Sequence, residues 1–249
     1  MSEVSVARPI SVRTPAAGRV SAIDDHMVSL ISPNSFEAEQ YRALRQAVDK
    51  ARPPAGPSVV AISSPGIGDG KTTTAINLAG AYAQSLKSRV LLVDADLRRP
   101  GIASRLGMSG SETGLAELLA DPSLGLDAAI RKLTVQNLSV MTAGRGRTEP
   151  HLLLQSERLS SLMAELRVRF DKIVVDTPPV LAVRDSNTLE GLVDGFVLVV
   201  SSGITSRHCL AETLDAMEPS KVLGIVFNCD RSRFASSYRV YGRYYAKSR

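Results

Sequence analysis

Six short apolar runs, at 58–63, 89–94, 138–143, 172–176, 195–200 and 222–228, set the plan of this chain. Each is far shorter than a membrane span and lacks the in-and-out alternation of a half-exposed strand, so each reads as a strand covered on both faces. Helical spacing fills the intervals. Phe36, Tyr41, Leu44 and Val48 recur on one face behind Glu37 and Glu39, which predicts a helix from Asn34 or Ser35 to the Pro-rich break at 52–57. A second helix runs through 75–84, short helices are expected from Glu112 to Leu133, and one long amphipathic helix is expected over 150–170. Buried strands alternating with helices give an α/β fold, a mostly parallel central sheet with helices on both faces. The reading divides the chain into a flexible N-terminal arm (1–33, Ser-, Ala-, Arg- and Pro-rich), a folded domain (34–230) and a tail (231–249).

Composition adds limits. Over 249 residues, a hydrophobic content of 44% supplies the core of one large domain. No run approaches the roughly 20 apolar residues of a membrane span, and no basic-then-apolar leader opens the chain, so a cytoplasmic protein is expected. Cys209 and Cys229 stand alone in apolar segments and read as buried free thiols, and His26, His151 and His208 show no metal-ligand spacing. The net charge of +5 belongs to the tail, where six basic residues meet no acid. That tail also carries Tyr238, Tyr241, Tyr244 and Tyr245, four of the six tyrosines. Arginine with tyrosine can serve nucleic acid, a partner this reading ranks last.

The chemistry gathers at strand ends, where ligands of such sheets collect. Residues 65–74, Pro-Gly-Ile-Gly-Asp-Gly-Lys-Thr-Thr-Thr, join the first strand to a helix. Gly66, Gly68 and Gly70 lack the Cβ atoms that would keep the backbone off a phosphate, so amides of the loop, with Ile67 and Asp69 between the glycines, can turn onto the anion at a positive helix end. Lys71 reaches the outer phosphates, Thr72 offers a magnesium ligand, and Thr73 continues the helix start. The architecture is therefore of the P-loop nucleotide-hydrolase type, with Pro65 standing where the strict pattern begins with Gly. Asp94 and Asp96 end the second strand with Arg98 beyond them, and Asp176 ends a later one. Paired carboxylates so placed favour a divalent cation or a raised pKa in one of them.

Segments 65–74, 92–100 and 174–179 together resemble the Walker A, A′ and B motifs of the bacterial tyrosine kinases (BY-kinases) of capsule and exopolysaccharide loci. The resemblance extends from about Phe36 to the C-terminus. It implies an ATP- and Mg2+-dependent kinase in which Lys71 and Thr72 hold phosphates and metal, Asp96 and Asp176 support the metal, and Asp94 is base or metal partner. By the same resemblance Asn228 reads adenine, Glu39, Arg42 and Arg45 join subunits in a homo-oligomeric ring, and the four tail tyrosines accept phosphate in trans. A membrane-embedded chain-length (co-polymerase) activator and a phosphotyrosine phosphatase are the implied partners, with the kinase peripheral to the inner face of the membrane. Four phosphotyrosines would add roughly −6 to −8 to a tail of six positive charges and so neutralise it. The alternative is a partitioning or division-site switch ATPase. Those proteins carry an extra lysine five positions before the P-loop lysine, where this chain has Gly66, and they lack a tyrosine cluster.

Overall fold

All six apolar runs form strands in the computed structural model, which describes residues 23–51, 56–108, 113–133, 137–146, 149–182 and 189–229. The strands are β1 (Ser58–Ser63), β2 (Val90–Asp94), β3 (Ile130–Leu133), β4 (Leu138–Met141), β5 (Lys172–Asp176), β6 (Gly195–Ser201) and β7 (Val222–Asn228). Their order across the sheet is β3-β4-β2-β5-β1-β6-β7, with every pairing parallel except β3 on β4. β1, β2 and β6 are buried along their whole length, as strands sandwiched between helical layers must be. Pairing of β2 with β5 sets Asp94 directly opposite Asp176. Two carboxylates thus meet at one edge of the core as a consequence of strand register.

The helices are α1 (Val28–Ile31), α2 (Phe36–Ala51), α3 (Lys71–Ala83), α4 (Ile102–Arg105), α5 (Leu115–Ala120), α6 (Pro150–Leu154), α7 (Glu157–Arg169) and α8 (Arg207–Asp215). One apolar layer brings α1, α2 and α3 against the sheet, and the other brings α5, α6 and α7 against the opposite face. α3 is rich in Ala and Gly, which lets it lie deep between β-sheet and neighbouring helices. A Cβ on Gly80 would stand 2.9 Å from the Cβ of Ser29 and 3.0 Å from Leu30, so glycine there admits α1. At the far end of the sheet Asp49 of α2 accepts hydrogen bonds from Tyr82 (3.0 Å) and Lys172 (2.8 Å), pinning α2 to α3 and β5.

Several expectations are corrected. Ile130–Leu133, read as helical, is a strand, and its half-exposed residues at the sheet edge leave no apolar run to betray it. The helix over 150–170 is broken at Gln155–Ser156. Ser156 takes extended backbone (φ −71, ψ 143) as N-cap of α7, and its hydroxyl donates to the Leu153 carbonyl (2.7 Å), closing α6. Residues 23–33 of the supposed arm pack on the domain, with Met27 and Leu30 buried. Cys209 is half-buried and Cys229 exposed, both free, so neither is the buried thiol expected. Among the described residues no helix is long and apolar enough to cross a membrane.

Candidate active site

The loop from Ser64 to Gly70 turns back over the end of β1 because Gly68 (φ +90) and Gly70 (φ +97) take left-handed backbone. Gly70 is also the N-cap of α3 and no side chain caps it, so the first amides of this helix face outward at its positive end. Asn228 closes the loop from the end of β7 by donating from Nδ2 to the Asp69 carbonyl (2.9 Å). A Cβ at Gly70 would fall 2.0 Å from that Nδ2. Gly70→Ala therefore combines a collision with left-handed strain of about 1–2 kcal/mol, and Mg·ATP affinity measured by calorimetry should drop by roughly tenfold or more. An unchanged affinity would mean that this loop is not the phosphate cradle.

Asp69 is buried and turned into the protein. Its Oδ2 accepts the Gly66 amide (2.9 Å) and its Oδ1 the Thr205 hydroxyl, so its carboxylate and the Gly66 amide hold the loop together. Ile67 points its side chain to solvent, being 61% exposed. With the Gly66 amide engaged, the loop amides from Ile67 to Gly70 and those of Lys71, Thr72 and Thr73 at the start of α3 can face an anion.

Lys71 sits among acids. Its Nζ donates to Asp96 Oδ2 (2.7 Å) and lies 3.4 Å from Asp176 Oδ1 and 3.5 Å from the Thr72 hydroxyl. Burial alone would lower the Lys71 pKa, but the charges of Asp176 and Asp96 outweigh it and raise the value. Asp96 also accepts the Arg99 amide (3.0 Å). Asp94 is fully buried; its Oδ2 accepts the amides of Gly101 (3.1 Å) and Ile102 (3.0 Å) at the start of α4. Burial first, and then the neighbouring charge of Asp176, push the Asp94 carboxyl up to about 7 against those hydrogen bonds. Burial likewise pushes Asp176 up to about 6, against the pull of Lys71 and a hydrogen bond from Thr72.

Asp94 Oδ1 and Asp176 Oδ2 are buried and without a hydrogen-bond partner. Orphaned hard oxygens beside the Thr72 hydroxyl and Asp96 fit magnesium, which is held by one or two carboxylates together with phosphate oxygens and water.

The P-loop, Asp96, Arg99 and Asn228 line a cleft of about 730 Å³ together with Asp25, His26 and Tyr41. Sequence reasoning missed this second group. Its signal was Asn77, a polar residue on an otherwise apolar helix face: it is wholly buried, accepts the Ser29 amide (2.9 Å) and donates to the carbonyls of His26 (2.9 Å) and Thr73 (2.9 Å). These bonds tie the segment before α2 to the P-loop helix.

The Glu39, Arg42, Arg45 stripe lies apart from the cleft and has partners within the chain. Arg42 pairs with Glu39 through Nε (2.8 Å) and also donates to the Pro33 carbonyl, while Arg45 donates to the Ala81 carbonyl (2.9 Å) at the end of α3. Tyr238, Tyr241, Tyr244 and Tyr245 lie outside the described residues.

A family model described as an AAA domain matches residues 58–219. Among characterised proteins, the chain is 35% identical over 226 residues to tyrosine-protein kinase YwqD of Bacillus subtilis (strain 168), covering 90% of this chain and 94% of the relative. It is 32% identical over 250 residues to the succinoglycan biosynthesis transport protein ExoP of Rhizobium meliloti (strain 1021), covering 91% of this chain but only 31% of that longer relative. Among solved structures, the kinase domain of the Escherichia coli tyrosine kinase ETK superposes with a TM-score of 0.77 at 29% identity, over 88% of this chain and 86% of that one.

Proposed function

Since the chain belongs to the bacterial tyrosine-protein kinases, built on an AAA-type P-loop domain, we propose that it transfers the γ-phosphoryl group of ATP to its own C-terminal tyrosines, one copy acting on another. Phosphoryl transfer asks a protein mainly to position groups and neutralise charge. The amides at the start of α3 and the Lys71 ammonium hold the triphosphate. Thr72, Asp96 and Asp176 are the side chains that would hold Mg2+, which when bound neutralises charge building on the phosphate oxygens. Asp94 takes the tyrosine proton. A phenol with a pKa near 10 needs such an acceptor, and a carboxylate lifted to about 7 is a far better one than an ordinary aspartate.

The observation that carries this reading is the Asp94–Asp176 pair: two buried carboxylates in register, each with an unpartnered oxygen, beside the P-loop lysine. A tail of 19 residues can extend roughly 60 Å, enough to reach a neighbouring subunit. Purified wild type given Mg·ATP should acquire phosphotyrosine in its C-terminal peptide. A variant with Phe at 238, 241, 244 and 245 should bind ATP normally and incorporate little phosphate. ATP hydrolysis without any phosphotyrosine, even with a candidate membrane activator added, would favour a switch ATPase.

The stripe on α2 is the proposed contact of a ring. Arg42→Glu with Arg45→Glu should shift the mass measured by light scattering toward monomer. Retention of the wild-type mass would confine these arginines to their bonds within the chain. ExoP is named for succinoglycan biosynthesis and transport, which supports polysaccharide export as the process governed; a membrane-embedded partner and a phosphatase counterpart complete the proposal. Replacing the cellular copy with Lys71→Met should change the yield or chain length of an exported polysaccharide, and an unaltered product would remove this part of the proposal.

A further inference from the structure

Buried Asp69 is held from two other strand ends, at its carboxylate from one and at its backbone carbonyl from the other, and neither contact belongs to a P-loop motif. β6 ends at Ser201, and the loop that follows folds back on itself: Thr205 donates its amide to the Ser201 carbonyl (3.0 Å) and accepts the Ser201 amide on its hydroxyl oxygen (3.0 Å). With its oxygen so oriented, the Thr205 hydroxyl donates to Asp69 Oδ1 across 136 positions of sequence. The same loop grips β7, because the Ser202 amide donates to the Asn228 carbonyl (2.8 Å), while the Asn228 side chain donates to the Asp69 carbonyl (2.9 Å). Asp69 is therefore fixed at its side chain from β6 and at its backbone from β7, and it passes that fixation on to the Gly66 amide.

We propose that Thr205 is a positioning residue for nucleotide binding, holding the phosphate loop in its binding shape through Asp69. A hydroxyl donating to a carboxylate makes a short, charge-assisted bond about twice as strong as a neutral one. Its loss leaves one oxygen of a buried carboxylate unmade, and the cheapest relief is for Asp69 to rotate toward water and release Gly66. The loop glycines offer little resistance to that movement, since their backbone has the widest freedom. Thr205 is only half-buried. Its removal is thus felt by the loop more than by the fold.

This inference rests on the P-loop reading, and the test separates the two. Mg·ADP binding is measured by calorimetry for wild type, Thr205→Val, Thr205→Ser, Asp69→Asn and the Asp69→Asn/Thr205→Val double variant, alongside thermal unfolding without nucleotide. Thr205→Val should raise Kd by about tenfold, the worth of one such bond, with the unfolding temperature lowered by roughly 2–4 °C, because the Ser201 amide loses its acceptor as well. Thr205→Ser, which keeps the hydroxyl, should recover most of the affinity. The double variant should bind no worse than the weaker single variant, because both act through one bond. In kinase assays the loss should fall on KM for ATP, with kcat nearly kept. Wild-type Kd in Thr205→Val, additive losses in the double variant, or a fall in unfolding temperature without a change in Kd would each overturn the role of Thr205. Failure of the wild type itself to bind Mg·ADP would overturn the P-loop reading, and this inference with it.

Discussion

Lys71→Met is expected to lower phosphotyrosine formation by about 10³-fold or more, through loss of the charge that meets the outer phosphates in a buried site. The structure adds a consequence for stability. Lys71 is the cation lying between Asp96 and Asp176, with Asp94 close by. Without it, three buried carboxylates face one another, and breaking such a pair on one side costs about 3–5 kcal/mol. The raised Lys71 pKa gives the sign: its contribution is fully present at neutral pH and disappears only above the lysine range. The nucleotide-free variant should therefore unfold at a lower temperature than wild type at pH 8. The gap should narrow at pH 5, where Asp94 and Asp176 take up protons. Equal unfolding temperatures at pH 8 would show that Lys71 does not balance these acids, and normal phosphotyrosine formation would remove the P-loop from the reaction.

Asp94→Asn should move activity and stability in opposite directions. Phosphorylation should fall by about 10²- to 10⁴-fold, the usual worth of a general base. Stability should rise at pH 8. The Asp94 pKa is about 7 in the folded state against 3.8 ordinarily, so between these values the folded chain binds the extra proton. Stability from this group is thus complete below about pH 4 and is lost as pH rises toward 7. Asparagine keeps an acceptor for the Gly101 and Ile102 amides and carries no charge to bury. Nucleotide- and metal-free Asp94→Asn should accordingly be more stable than wild type at pH 8 by up to about 4 kcal/mol, a rise of up to roughly 10 °C. The advantage should shrink toward zero near pH 4. A variant less stable than wild type at pH 8 would show that the Asp94 charge is compensated in the fold.

What could be read from the chain was local. Fully buried strands announce themselves as apolar runs, and Asp94, Asp96 and Asp176 follow them directly, so strand identity and site chemistry came together. β3 escaped because an edge strand keeps its charges: Arg131 and Lys132 interrupt the run, and only pairing with β4 defines it. The break at Ser156 escaped because apolar periodicity continues through it, with Leu153 and Leu154 buried on one side and Leu159 and Leu162 on the other. Thr205 with Asp69, and Asn77 with His26, are contacts over long separations, which no spacing rule encodes. The α2 stripe shows the converse. Its spacing of three was legible, but the Ala81 and Pro33 carbonyls that take its arginines were not.

Tyrosine phosphorylation between copies of this chain can be detected by mixing two variants. Lys71→Met supplies an intact tail without a working site, and the variant with Phe at 238, 241, 244 and 245 supplies a working site without acceptors. Each is incubated with Mg·ATP, alone and together, and the C-terminal peptides are read by mass spectrometry. Phosphotyrosine is expected on the tail of the Lys71→Met chain in the mixture, rising with total protein concentration, and almost none with either variant alone. No phosphotyrosine in the mixture, from a wild type that does phosphorylate its own tail, would contradict transfer between copies. No phosphotyrosine from the wild type, with ATP still hydrolysed, would contradict the kinase itself.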